Sequence, residues 1–234
     1  MKAIVIVPTY NERGNVTRLV EGILGLGLNL GILFVDDNSP DGTGELLDEI
    51  AQQSPAVSVV HRSEKLGLGT AYLTGYQAAL TRNPDYIFQM DADLSHNPKD
   101  IPKLLAAAET QDLVIGSRYV PEGGIAHWSM GRLLLSYFAN LYVRWMTGMK
   151  IRDCTSGFRC FKKSVLERVQ LDRVVSNGYA FQIEMVYRTL REGFRVGEIP
   201  IIFLGRSTGK SKLSGKVIRE AFFLPWKIRL GLIR

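Results

Sequence analysis

Three acidic clusters have residue types and spacing suited to chemistry: Asp91-Ala92-Asp93, Asp36-Asp37 and Tyr10-Asn11-Glu12. Carboxylates at i and i+2 can meet one hard divalent cation, Mg²⁺ or Mn²⁺, when a turn re-aims the second. A cation held there would neutralise a diphosphate leaving group. Asp36-Asp37 could accept hydrogen bonds from a ribose hydroxyl or a base edge, as acids at strand ends do in dinucleotide-binding folds.

Each cluster follows an apolar run that reads as a strand. Ala3–Val7 and Gly31–Val35 are continuous β-formers, Tyr86–Met90 is another such run, and Ala56–Val60 lies between. Helical spacing recurs in between, at Val16, Leu19, Val20, Ile23 and Leu24, then over about 43–53 and 69–80. Ile/Val runs alternating with amphipathic helices predict an α/β fold whose mostly parallel sheet is covered on both faces. Ligands of such sheets bind outside the carboxyl ends of the strands, where the three clusters converge. Single Asp, Asn or Ser residues there are ordinary turn and cap residues, but three acidic ends on one rim favour a site. The glycine-rich dinucleotide turn is missing after strand one, and Gly67-Leu68-Gly69 lacks the Lys-Ser/Thr of a phosphate loop, so dehydrogenase and P-loop kinase readings fall. In the second half, residues 129–147 read as one or two helices, 178–191 as a helix, 195–203 as strand-like and 216–232 as an apolar, basic stretch broken at Pro225. No repeat or linker divides the 234 residues, which predicts one domain.

The net charge of +6 is regional. Residues 203–234 hold eight basic residues against one acid, leaving the rest of the chain near neutral. Such a tail suits an anionic membrane, a phosphorylated ligand or nucleic acid. Cys154 and Cys160 are too few for a disulfide scaffold and are expected as free thiols in a reducing compartment. The apolar stretch after Met1-Lys2 is only five residues, short of the ~7 of a signal segment. No 18-residue window is free of charge, so no ordinary transmembrane helix is expected.

Val7-Pro-Thr-Tyr-Asn-Glu12, Val35-Asp-Asp-Asn-Ser-Pro-Asp-Gly42 and Asp91-Ala-Asp-Leu-Ser-His-Asn-Pro98 resemble the signature of glycosyltransferase family 2, specifically its dolichyl- and polyprenyl-phosphate mannose synthases. Gly116–Tyr119, Asp153–Arg159, Gly178–Glu184 and the stretch from Arg206 to Leu213 extend the likeness in colinear order over about residues 2–216. The resemblance implies a GT-A fold with a Rossmann-like nucleotide-binding half. It also implies inverting transfer of mannose from GDP-mannose to dolichyl or another polyprenyl phosphate. By motif position, Pro8, Tyr10, Glu12, Val35 and Asp37 would line the guanosine pocket. Asp91, Ala92 and Asp93 would meet the donor diphosphate through Mg²⁺ or Mn²⁺, and Ser95, where some relatives have Gln, stands as a third metal position. Arg118 and Arg132 would grip the acceptor phosphate, Arg118 also lying beside the donor. Gln182 would sit near the sugar, Arg206 and Lys212 at the donor diphosphate, and Asp153 would be structural.

These implied roles agree with elementary chemistry. An acceptor phosphate is already an anion, so catalysis needs positioning and leaving-group stabilisation rather than a strong base. Arginine's planar fork suits phosphate. The Gly205–Gly215 loop, rich in glycine, basic groups and hydroxyls, reads as a lid. Residues 129–147 and 216–234 mix apolar surface with Trp, Tyr, Arg and Lys and are expected as membrane-interface helices. The expected location is peripheral, on the cytoplasmic membrane face, with room for a membrane-anchoring subunit. Two rivals stand beside this reading: a polyprenyl-phosphate glucosyltransferase using UDP-glucose or another nucleotide sugar, and a noncatalytic basic module for membrane or nucleic acid. No nucleic-acid partner is expected, because an acidic rim repels phosphates unless a metal intervenes.

Overall fold

A computed structural model describes residues 2–205 and 215–233. Its seven-stranded sheet explains the continuous apolar runs of the sequence. In β1 (Ala3–Thr9) and β2 (Leu30–Asp36), alternate side chains enter two separate cores. Ile4, Ile6, Leu33 and Val35 face Tyr72 and Tyr76 of α3 (Leu68–Leu80) and Phe181 of α7 (Gly178–Arg191). Val5, Val7, Ile32 and Phe34 face Val16, Leu19 and Ile23 of α1 (Arg13–Leu24), Leu47 of α2 (Thr43–Gln53) and Leu104 of α4 (Ile101–Ala107). Both sheet faces are covered, so no strand position needs a polar side chain until the strand ends.

The strand order is β3-β2-β1-β4-β7-β5-β8. Here β3 is Val57–His61, β4 Tyr86–Gln89, β5 Leu113–Ser117, β7 Arg159–Lys162 and β8 Val196–Pro200. Adjacent strands are parallel except at β7, which runs antiparallel to both β4 and β5. Gln89 and Ile115 both pair with Arg159, so the start of β7 lies at the carboxyl ends of β4 and β5. That reversal brings the 153–158 loop to the same rim as the residues that follow β4 and β5. The mostly parallel expectation holds, with this one inserted strand.

Two other expectations change. The strand-like 195–203 segment divides at Ile201, whose N–H donates to Ser117 O while its carbonyl accepts from Gly124 N–H. The chain thereby leaves the main sheet, and β9 (Ile202–Leu204) pairs with β6 (Gly124–Ala126) as a separate two-stranded ribbon. Pro225 does not break the last helix either, since α8 spans Gly215–Arg229 through it. An internal proline removes one helical hydrogen bond and costs about 3 kcal/mol. Burial of Leu224 and Ile228 on either side offsets that cost, and Tyr142 Oη donates to the Phe222 carbonyl at 2.8 Å. Tyr142 belongs to α5, a continuous helix over Met130–Thr147 that ends at Gly148 in the left-handed conformation. Cys154 and Cys160 are free, buried thiols.

Gly75 sets how closely α3 approaches the sheet. A Cβ there would stand 2.5 Å from Ile6 Cγ2 and 3.2 Å from Val35 Cγ2. Gly75→Val should therefore overpack a site with no room to relax, costing about 1–3 kcal/mol and lowering Tm by roughly 2–4 °C per kcal/mol. Thermal and urea unfolding check this; an unchanged midpoint would contradict the packing account.

Candidate active site

Asp36 closes the first two strand ends together. Its Oδ1 accepts from Thr9 Oγ1 at 2.8 Å and Ser39 Oγ at 2.6 Å, and its Oδ2 accepts from Ser39 N–H at 3.0 Å. Asn11 and Asn38 turn the loops with positive φ, and Asn11 N–H and Glu12 N–H donate to Ser39 Oγ and Thr43 Oγ1. Asp36 is thus spent internally. Asp37 instead forms a buried ion pair with Arg62, its Oδ1 2.9 Å from Nη1. The Lys65 ammonium lies 3.8 Å from the Tyr10 ring centroid, a cation–π contact. Pro8, Tyr10 and Glu12 are half-buried around this notch. Val35 is different: fully buried against Gly75, it presents no surface to a ligand, which corrects its expected place in the pocket wall. Arg62 and Lys65 were missed in the sequence, although they follow β3 and the strand-end rule applied to it would have found them.

The dyad sits on a turn made by Leu94, whose φ of 60° is unusual for a branched residue and costs of order 1 kcal/mol. That turn lets Ser95 N–H and Oγ both donate to Asp93 Oδ1, at 3.1 and 2.5 Å. Ser95 is buried and its hydroxyl donates to Asp93, so it orients the carboxylate. Ala92 is buried as well. Asp91 is held from three sides. Tyr72 Oη donates to its Oδ1 at 2.9 Å, and its own N–H donates to His96 Nδ1 at 3.3 Å. Gly157 lies so close that a Cβ would be 3.2 Å from Oδ2. Burial keeps Tyr72 protonated far above the usual phenol range and pushes His96 below the usual imidazole range, although Asp91 and Asp93 oppose the latter.

Two oriented carboxylates at a strand end fit Mg²⁺ or Mn²⁺, which usually take one or two carboxylates and complete their shell with water and substrate phosphate. Among the described residues no group of three His, Cys, Asp or Glu could hold a metal. The fit is therefore to an ion shared with a ligand, not to a closed protein cage.

Arg118 follows β5 and is buried. Its Nε and Nη2 meet Asp153 Oδ2 and Oδ1, both at 2.7 Å, and Nη2 also donates to Thr155 Oγ1 at 2.8 Å. The fork expected on phosphate is thus occupied by Asp153; its Nη1 takes no part in these bonds. Burial alone would raise the Asp153 pKa, but the charge and hydrogen bonds of Arg118 outweigh it and hold the carboxyl below its usual range. Arg132 stacks on Trp128, its guanidinium carbon 3.8 Å from the ring centroid. Ring contacts continue from Trp128 to Phe203 (5.4 Å) and from Phe203 to His96 (5.4 Å), so the arginine side is joined to the dyad. Arg132 and Trp128 also line a largely apolar cavity of about 440 Å³ between α5, α7 and α8, with Leu135, Tyr142, Tyr179 and Phe222. Gln182 is buried on α7, its carbonyl accepting from Arg159 Nη1 at 2.9 Å. Arg206 and Lys212, with the expected lid, lie outside the described residues.

Residues 4–170 match the description "Glycosyl transferase family 2". The chain is 47% identical over 237 residues to a polyprenol monophosphomannose synthase of Mycolicibacterium smegmatis, covering 100% of this chain and 89% of the relative. It is 42% identical over 221 residues to an undecaprenyl-phosphate mannosyltransferase of Micrococcus luteus, covering 94% and 91%. Among solved structures it resembles glucosyl-3-phosphoglycerate synthase of Mycobacterium tuberculosis bound to Mn²⁺, UDP and glucosyl-3-phosphoglycerate (TM-score 0.63, 18% identity, 99% of this chain and 78% of that one). It also resembles a mannosyltransferase of Pyrobaculum calidifontis bound to GDP-Man and Mn²⁺ (TM-score 0.61, 18% identity, 97% and 72%). The fold is that of the GT-A glycosyltransferases.

Asp153→Ala would strand the Arg118 cation in the interior and should cost about 3–5 kcal/mol in urea unfolding at pH 7. Because the folded-state pKa of Asp153 is lowered, its stabilisation is present above the unfolded value of about 4 and is lost as pH falls through the lower folded value. Equal stability of variant and wild type at pH 7 would show that the pair does not anchor this rim.

Proposed function

The chain belongs to glycosyltransferase family 2, and from that premise we propose that it transfers mannose from GDP-mannose to a polyprenyl phosphate, with inversion at the sugar's anomeric carbon. The carrying observation is the continuity of one rim: an oriented Asp91/Asp93 pair joined by ring contacts to Arg132 at the mouth of an apolar cavity. The whole-length identity to two polyprenyl-phosphate mannosyltransferases supports the same donor and acceptor.

The nucleoside would lie in the notch of Pro8, Tyr10, Glu12 and Asp37, with Arg62 holding Asp37 ready to accept from base or ribose. Asp91 and Asp93 would hold Mg²⁺ or Mn²⁺ against the donor diphosphate, and the ion supplies charge neutralisation of the departing GDP. Tyr72, Ser95 and His96 orient that pair, so no reorganisation is needed as negative charge develops. Arg132 would attract the acceptor phosphate, with Arg118 and Thr155 behind it. A phosphate oxygen then bonds to the anomeric carbon as the bond to GDP breaks. The acceptor is already an anion, so no residue has to remove a proton. The family resemblance also assigns Arg206 and Lys212, outside the described residues, to the diphosphate.

The apolar cavity would receive the first isoprene units. Exposed Met130, Leu134, Leu135, Phe138 and Trp145 of α5, with Phe222, Phe223 and Trp226 of α8, would rest in the headgroup region. No helix among the described residues is long and apolar enough to cross a membrane. The free thiols fit a cytoplasmic membrane face, where a single catalytic domain of 1–234 would work with or without an anchoring subunit.

The test is incorporation of label from GDP-mannose into polyprenyl phosphate. Asp93→Ala, folded by circular dichroism, should lose at least ~100-fold in kcat, as loss of a charge-stabilising group does. EDTA should abolish transfer, and Mg²⁺ or Mn²⁺ should restore it. Undiminished turnover in the variant would overturn the role of the dyad; preferential transfer from UDP-glucose would overturn the donor.

A further inference from the structure

A second cavity, of about 170 Å³, opens on another face of α5 and shares no lining residue with the apolar one. Tyr119, Tyr137, Asn140, Leu141, Arg144 and Arg152 line it. The four α5 residues follow i, i+3, i+4, i+7 spacing, so they form one stripe. Among the described residues neither Arg144 nor Arg152 has an ion-pair partner. Glu198, nearby, uses its carboxylate oxygens to accept the backbone N–H groups of Arg152 and Asp153 at 2.8 and 2.9 Å.

The cavity wall is also unsatisfied. Asn140, nearly fully buried, donates through Nδ2 to Ser136 O and Thr155 Oγ1, which fixes its amide and leaves Oδ1 buried with no partner among the described residues. Among the described residues Arg144 Nε is buried without a partner too. Unpaired buried polar atoms cost about 1–3 kcal/mol each, so a site that keeps them favours a polar occupant. A water takes up about 30 Å³, so the space exceeds what one or two waters need and admits a tetrahedral oxyanion. The two guanidinium groups offer donors only and the Tyr119 and Tyr137 hydroxyls can donate, which suits a phosphate ester, while Asn140 Oδ1 would accept from a headgroup hydroxyl. Beside the opening, Leu134, Tyr137, Leu141 and Trp145 are exposed.

We propose that this cavity binds the phosphate ester of an anionic phospholipid headgroup, held between Arg144 and Arg152 with Tyr119 as a further donor, apart from the acceptor cavity. The choice of a lipid over free phosphate follows from the exposed apolar and aromatic flank, and it rests on the reading of α5 as a bilayer-facing helix. The bound lipid would fix the angle at which α5 meets the membrane, while the polyprenyl phosphate enters from the other face of the helix.

The test uses the full chain with vesicles of phosphatidylcholine alone or with phosphatidylglycerol. Arg144→Gln/Arg152→Gln is compared with Lys227→Gln/Arg229→Gln, which removes the same charge from α8. The first pair should weaken binding to phosphatidylglycerol vesicles about ten-fold more than the second, because it removes directed phosphate contacts and not only net charge. Both variants should keep wild-type mannose transfer to a short, detergent-dispersed polyprenyl phosphate. That assay reads the proposed activity separately, so its failure in wild type would sink the transferase reading without deciding the vesicle result. Equal losses in the two double variants would overturn the proposal. Thermal stabilisation by inorganic phosphate that depends on Arg144 and Arg152, without any vesicle effect, would overturn the lipid assignment.

Discussion

A parallel sheet that ends its strands in carboxylates gathers negative charge on one rim, and each charge needs a counterpart. Most receive one from the chain itself. Asp36 is bound by hydroxyls and an N–H, Asp37 faces Arg62, and Asp153 faces Arg118. Asp91 and Asp93 are oriented by hydrogen bonds from Tyr72 and Ser95. Carboxylates fixed in orientation at a strand end suit a cation shared with a substrate phosphate.

The reversed strand β7 makes that arrangement possible. Were it parallel, its preceding loop would emerge at the opposite edge of the sheet. Running antiparallel, it delivers Asp153 to Arg118 and Gly157 to Asp91 in one pass. Arg159, at its first position and fully buried, donates to the carbonyls of Cys154, Ser156 and Gln182. One guanidinium thus fastens the loop to the start of α7. The conformation of the 153–158 loop, the seat of Asp91 and the placement of Gln182 depend on each other through it.

Much of this was legible in the sequence because strand residues buried on both faces have no reason to be polar. The Ile/Val runs marked the strands, and the switch to Asp, Asn and Glu marked where they leave the core. The dyad was legible for the same reason. What escaped was pairing across distance. Nothing local to Arg118 shows that Asp153, 35 residues on, occupies its fork, or that Arg62 meets Asp37. Val35 looked like a pocket residue from its place in a motif, yet strand alternation turns it toward α3. Ser95 stands at a ligand position by motif order, and the Leu94 turn points its hydroxyl at Asp93. The reversal of β7 had no sequence signal, because four residues, Arg159–Lys162, read alike in either direction.

The central claim is that Asp91 and Asp93 await a cation that a nucleotide diphosphate completes. Calorimetric titration of GDP into the protein, with Mn²⁺ or with EDTA, tests it most directly. The expected result is GDP binding that requires the metal and weakens at least about ten-fold in Asp91→Asn, as loss of one metal carboxylate implies. GDP binding of equal strength in EDTA and in the variant would contradict it.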